Sequence, residues 1–291
     1  MNMEDRMVRN IDRKREHSTF ELSPEMARAY EKTRRIFSDS EFSLHEIDFI
    51  RAHGQENVAA DMSIVERMAA DFKTRDTPEK EKLKRIADIS EAMILTQAKS
   101  GKWFGDVSIF KTSAYDDYIN GTDMILEWFT PEEGSRVLAL AVDVTFSVES
   151  IEKKLTAIKI EIDNDELGSL KYFRDNRGNF VGIRNNIPRI VVGVSEPVIE
   201  ELADLWVREE HKALDEHPIQ ILFLDEMVAQ LQFMRKYALK KGKTAAVGVY
   251  DQVLQTLVPI REKKLNLRKR TLLRDGVATE IAIDAQKVFC A

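Results

Sequence analysis

Two aspartates stand out by their surroundings. Asp143 follows six apolar residues, Val137 to Val142, and precedes Val144. Such a run reads as a strand buried on both faces, where an ionised carboxylate is costly unless something compensates it. Upstream, NGTDMILEWF carries Asp123, and the connecting TPEEGSR is rich in turn formers. If the two strands make a simple antiparallel hairpin, Phe129 faces Val137 and counting outward sets Asp123 opposite Asp143. Residues so opposed have Cβ atoms about 4.5–5.5 Å apart. Facing carboxylates repel, so one is protonated or a cation lies between them. A Mg²⁺ ion, with Mn²⁺ as its substitute, is the expected intracellular solution.

A third acid can join them. Leu83, Ala87, Ile94 and Ala98 form an apolar stripe, and Glu91 falls on it, four after Ala87 and three before Ile94. Structural roles compete for all three. Asp123 can cap the turn after Asn120-Gly121, Asp143 can accept backbone amides at a strand end, and Glu91 can pair with a core arginine.

The elements that must position these acids are readable. Apolar spacing predicts helices over 24–37, 43–53 and 57–73. A longer helix follows, with Thr77 as N-cap, Pro78 at its first position and Gly101 as its stop. Residues 107–112, 123–129, 137–146, 169–173 and 189–194 read as strands, with a helix near 148–162. Beyond Pro197 helices are expected at 197–215, 219–241 and 244–265, and TLLRDGVATEIAI reads as a short hairpin around Asp275-Gly276. The organisation is an N-terminal helical segment (1–77), an α+β core (78–195) and a C-terminal helical region (196–291).

A helix with an inward glutamate, a hairpin bearing Asp and Asp-x-Thr, then a helix and a further strand resembles the PD-(D/E)XK nuclease superfamily. The resemblance covers about residues 78–195. It implies a restriction-endonuclease-like αβββαβ core with helical extensions and Mg²⁺-dependent cleavage of DNA or RNA. By position, Glu91 matches the helical acid, Asp123 the acid opening the first motif strand, and Asp143 the acid of the tripeptide. The tripeptide's lysine, which helps the attacking water in that family, is replaced by Thr145. Lys154, on the apolar stripe of Ile151, Leu155, Ile158 and Ile162, is one substitute; its stem can also reach solvent. Lys171, in SLKYF, is a second. If neither reaches the acids, the chain is an inactive relative that binds nucleic acid or serves in assembly.

Charge adds a partner. Residues 235–274 carry twelve Lys or Arg against two acids, in a chain of net charge −6. Lys240, Lys241, Lys263, Lys264, Arg268, Lys269 and Arg270 are the expected contacts to a phosphate backbone; a solvated helical face is the alternative. A helical interaction protein docking an acidic partner is the third reading. One cysteine in 291 residues excludes a disulfide scaffold. No apolar run spans a membrane, and the polar N-terminus reads as no secretory signal. A cytoplasmic protein is therefore expected, with a homo-oligomer open to it. There is no phosphate-binding glycine loop, and the five histidines are scattered; His211 and His217 read as surface residues.

Overall fold

The computed structural model describes residues 21–130, 136–145, 148–175, 177–178, 180–268 and 275–290. Helix α1 (Pro24–Phe37) opens the chain, capped by Ser23, whose hydroxyl accepts from Met26 N at 3.2 Å. A 3₁₀ turn (Glu46–Phe49), a short α2 (Ile50–His53) and a long α3 (Gln55–Arg75) follow. Of the twenty-one residues of α3, only Val58 and Asp61 are buried. Helix α4 (Pro78–Ser100) starts as the caps require: Thr77 Oγ1 accepts from Lys80 N, and Gly101 N bonds Gln97 O at the other end.

The core then builds strand by strand. β1 (Val107–Lys111), α5 (Ala114–Asn120), β2 (Met124–Thr130), β3 (Arg136–Thr145), α6 (Ile151–Asp163) and β6 (Arg189–Gly193) form a four-stranded sheet in the order β1-β2-β3-β6 with its connecting helices. The first three strands run antiparallel and β6 lies parallel to β3. A separate hairpin, β4 (Gly168–Arg174) and β5 (Val181–Ile187), intervenes in sequence. The fold is therefore α+β and mostly helical, with a small mixed sheet.

Strand alternation decides which side of the sheet each residue serves. Met124, Leu126, Leu140 and Val142 enter the large core with α4, α7 (Glu196–Val207) and α9 (Ile219–Lys240). Ile125, Ala139 and Ala141 face the other way and pack on Leu170, Phe173 and Ile187 of the β4–β5 hairpin. The large core draws on all three sequence segments, from Met26 in α1 to Phe289 in α12 (Gly276–Cys290). Helices α8 (His211–Asp215), α10 (Thr244–Lys263) and α11 (Leu265–Arg268) complete the C-terminal layer.

Three expectations are corrected. Residues 276–290 are helix, not a hairpin: Asp275 caps them, its Oδ1 accepting from Val277 N and Ala278 N at 2.9 and 3.0 Å. Its Oδ2 accepts from Ser195 N and Oγ at 2.9 and 2.6 Å, which ties the cap to the end of β6. Asp-Gly is a hairpin signal only when strands flank it; here the apolar positions recur at helical spacing. His217 is buried, not at the surface, and its Nδ1 accepts from Ile219 N. Residues 115–117, whose Asp116-Asp117 reads either as a loop or as a border of the site, lie in α5, capped by Ser113 and closed by Gly121 in the left-handed region (φ 61°). Among the described residues no helix is long and apolar enough to cross a membrane.

Candidate active site

The β2–β3 register sets the acids side by side. Phe129 faces Val137 and Met124 faces Val142; one step further, Asp123 N donates to Val142 O at 3.0 Å. Asp123 and Asp143 thus sit at the same end of neighbouring strands. Asp123 Oδ2 also accepts from Val144 N at 2.6 Å, so the carboxylate closes the ladder past its last backbone pair.

Lys154 reaches Asp143 from α6. Its Nζ donates to Asp143 Oδ1 and lies 3.4 Å from Val144 O. Ile151, Leu155 and Ile158 bury the same helix face and hold the stem in place. Asp143 is 8% exposed. Burial first, and then the charge of Asp123, push its carboxyl up to about 7, against the pull of Lys154 and Arg189.

Glu91 is buried too, on α4, and Lys111 Nζ at the end of β1 lies 2.5 Å from its Oε2. Lys111 also stands 3.7 Å from Asp117 Oδ2 of α5. Burial opposes the charge of Lys111, but Glu91, Asp117 and Asp123 outweigh it and raise its pKa above the usual lysine range. Burial raises Glu91 well above the usual carboxylate range; Lys111 counteracts this and Asp123 adds to it. Asp117 is raised to about 7 by burial and Asp123, and Asp88, one helical turn before Glu91, to about 6 by burial, with Asp123 adding to it. Asp123 is thus felt by Asp88, Glu91, Asp117 and Asp143, and Lys111 and Lys154 answer the cluster.

Of the five catalytic candidates, Asp123, Asp143 and Lys154 come together at the strand ends; Glu91 feels the charge of Asp123 but is bonded to Lys111. Lys171 is engaged elsewhere. Its Nζ lies 2.5 Å from Asp61 Oδ2 and 5.0 Å from the Tyr115 ring centroid, on the separate β4–β5 sheet. Sequence reasoning missed Asp88 and Lys111; Tyr115, Asp116 and Asp117 can be read from the sequence as a border of the site or as a loop, and of these Asp117 joins the cluster. Asp88 stands three residues before Glu91, so helical spacing alone placed it on the same face. Lys111 ends a strand whose alternate residue Ile109 is buried, the same signal in period two. Asp116 is structural: its carboxylate accepts from Ser113 Oγ, Asn120 Nδ2, Lys171 N and Tyr172 N.

The basic segment is partly neutralised within the fold. Arg235 pairs with Asp251, Lys241 with Asp163 at 3.6 Å and Arg261 with Asp225 at 2.5 Å. Lys264 is half-buried and donates to Gln220 Oε1. Lys240, Lys241 and Lys263 are exposed. The Arg268 side chain, Lys269 and Arg270 lie outside the described residues. No family model, curated protein or solved structure matches the chain.

Proposed function

We propose that this chain is a metal-dependent phosphodiesterase of the PD-(D/E)XK type, cutting DNA or RNA. The observation that carries the reading is Asp123 and Asp143 at one end of paired strands with Lys154 bonded to Asp143. The order helix, three antiparallel strands, helix and a strand parallel to the third supports it.

The donor chemistry fits a hard divalent cation. Asp123, Asp143 and Glu91 offer only carboxylate oxygens, the ligands Mg²⁺ and Mn²⁺ take. Burial and then the charge of Asp123 raise Asp143, and a cation between the two carboxylates relieves that repulsion. When bound, the ion supplies Lewis acidity and an activated water. Asp123 and Asp143 would hold it with help from Glu91. Asp123 is fixed for this by Val144 N–H. Lys154 would release Asp143 and place its ammonium against the water or the charge gathering on the phosphate, the task of the lysine missing at Thr145. Lys111 would keep Glu91 and Asp117 in place.

The test is cleavage of linear DNA, circular DNA and RNA with Mg²⁺ or Mn²⁺. Wild type is expected to cut; Asp143→Ala is expected to fold and not cut. Lys154→Met is expected to lose roughly 10²–10⁴-fold in kcat, the scale of one acid–base group. Absence of cutting by folded wild type on every substrate removes the hydrolase reading.

A specific observation favours a second reading, a nucleic-acid-binding or assembly protein that does not cut. Among the described residues no three His, Cys, Asp or Glu side chains are gathered as a metal-holding group. Lys111 and Lys154 instead already bond Glu91 and Asp143. On that reading wild type binds nucleic acid in a salt-sensitive way and Asp143→Ala changes nothing.

A further inference from the structure

An aromatic pair borders the acid cluster. Tyr118 follows Asp117 on α5, and its ring meets Phe72 of α3 edge to face, with centroids 5.8 Å apart and planes at 71°. Both rings remain accessible, Phe72 at 39% and Tyr118 at 38%. Ile119 beside them is also exposed. Lys84 Nζ lies 5.3 Å from the Phe72 centroid and 2.5 Å from Asp76 Oδ2. Tyr118 feels the charges of Asp117, Asp88, Lys84 and Lys111, so the rings and the cluster share one neighbourhood.

The scaffold around the pair is unusual for a packing contact. Helix α3 buries two of its residues and rests mainly on α5, on α2 and on the turn before α2. Two aromatic rings at its far end therefore add little to the main core, to which neither belongs. An exposed ring pair with a cation at its rim suits an unpaired nucleobase: the ring gives a stacking face and the ammonium answers the adjoining phosphate. A base pair inside a duplex offers no such face. The buried Trp103 and Trp128, whose indole N–H groups bond Leu214 O and Phe104 O, are not open to a base.

We propose that Phe72 and Tyr118 form a stacking platform for an unpaired base next to the phosphate held at the acid cluster, so that the substrate is single-stranded or locally opened nucleic acid. This rests on the phosphodiesterase reading for the role of the cluster, but binding can be measured without cutting.

The experiment uses the full chain with Ca²⁺ in place of Mg²⁺. Fluorescence anisotropy is read with a mixed-sequence single-stranded 12-mer and with the same sequence as duplex, as deoxy- and ribo-oligonucleotides. Wild type is expected to prefer the single strand. The double variant Phe72→Ala/Tyr118→Ala is expected to lose about tenfold in single-strand affinity, in line with the stacking of one base, with duplex affinity unchanged. Tyr118→Trp, with Phe72 retained, is expected to hold or improve single-strand binding. Circular-dichroism melts establish that each variant folds. The proposal is overturned if wild type binds no single strand, if the folded double variant binds like wild type, or if both strand forms weaken equally. Cleavage with no effect of the ring variants on binding overturns this inference alone. Ring-dependent binding by a protein that cuts nothing overturns the hydrolase reading alone.

Discussion

The acid cluster shows what single residues can and cannot announce. Asp143 is conspicuous because it interrupts an apolar run; Asp88 and Lys111 are not, because a charge on a mixed helix or at a strand end has many solvated homes. Asp117 of α5 reaches Lys111 at 3.7 Å, and α5 itself is a helix the sequence disguised as an Asp-rich loop. Asp88 gives a pH signature. An ordinary aspartate releases its proton near 3.8, whereas Asp88 holds its own to about 6. The folded state thus binds more protons than the unfolded state across that window, so stability from this group is present below pH 4 and is lost as pH rises toward 6. Asp88→Asn, which cannot ionise, is expected to be more stable than wild type at pH 7.5 by roughly 1–3 kcal/mol, with the gain shrinking to near zero at pH 4. Urea unfolding at the two pH values reads the difference; an equal effect at both would place the shift elsewhere.

At the scale of elements, the edge of the sheet is closed by side chains. β6 pairs with β3 on one side; on the other, Gln230 of α9 takes the place of a strand. Its Oε1 accepts from Val191 N at 3.0 Å and its Nε2 donates to Val191 O at 2.6 Å. Glu226, one turn earlier, accepts from Gly193 N at 3.1 Å. An open strand edge invites pairing with another chain, and this helix removes the invitation. Gln230→Leu leaves a buried amide and carbonyl unpaired and is expected to cost about 2–4 kcal/mol, seen as a lower midpoint in thermal unfolding. Much of the element pattern was legible: Thr77, Pro78 and Gly101 bounded α4, and the β2–β3 register followed from loop length. Besides α5, two elements were not. β5 (VGIRNNI) escaped notice because Val181 and Ile183 are the exposed positions and Gly182 and Arg184 the half-buried ones, the reverse of the apolar-in alternation that marks a strand. The last helix was misread because Asp275-Gly276 serves as a cap and first turn, a use that only Ser195, far away in sequence, makes definite.

Across the whole molecule the charge map is more local than the sequence count suggested. The chain's acids reach back to the basic stretch through Asp163, Asp225 and Asp251, and part of that charge holds α6, α9 and α10 together. Two uses can be separated. Lys240→Glu with Lys263→Glu, both exposed, is expected to weaken nucleic-acid binding. The slope of log affinity against log salt is expected to fall by about one for each phosphate no longer neutralised, with the melting temperature unchanged. Arg261→Glu, which opposes Asp225, is expected to lower the melting temperature instead. A salt slope untouched by the first pair takes these lysines out of the proposed nucleic-acid surface.

The bond from Val144 N to Asp123 makes the site a proof-reader of its own strand pairing. A slip of one residue between β2 and β3 would turn Asp143 to the opposite face, strand Asp123 and separate Lys154 from its acid. On the hydrolase reading, Asp123, Asp143 and Lys154 stand together only once the last rung of the β2–β3 ladder has closed.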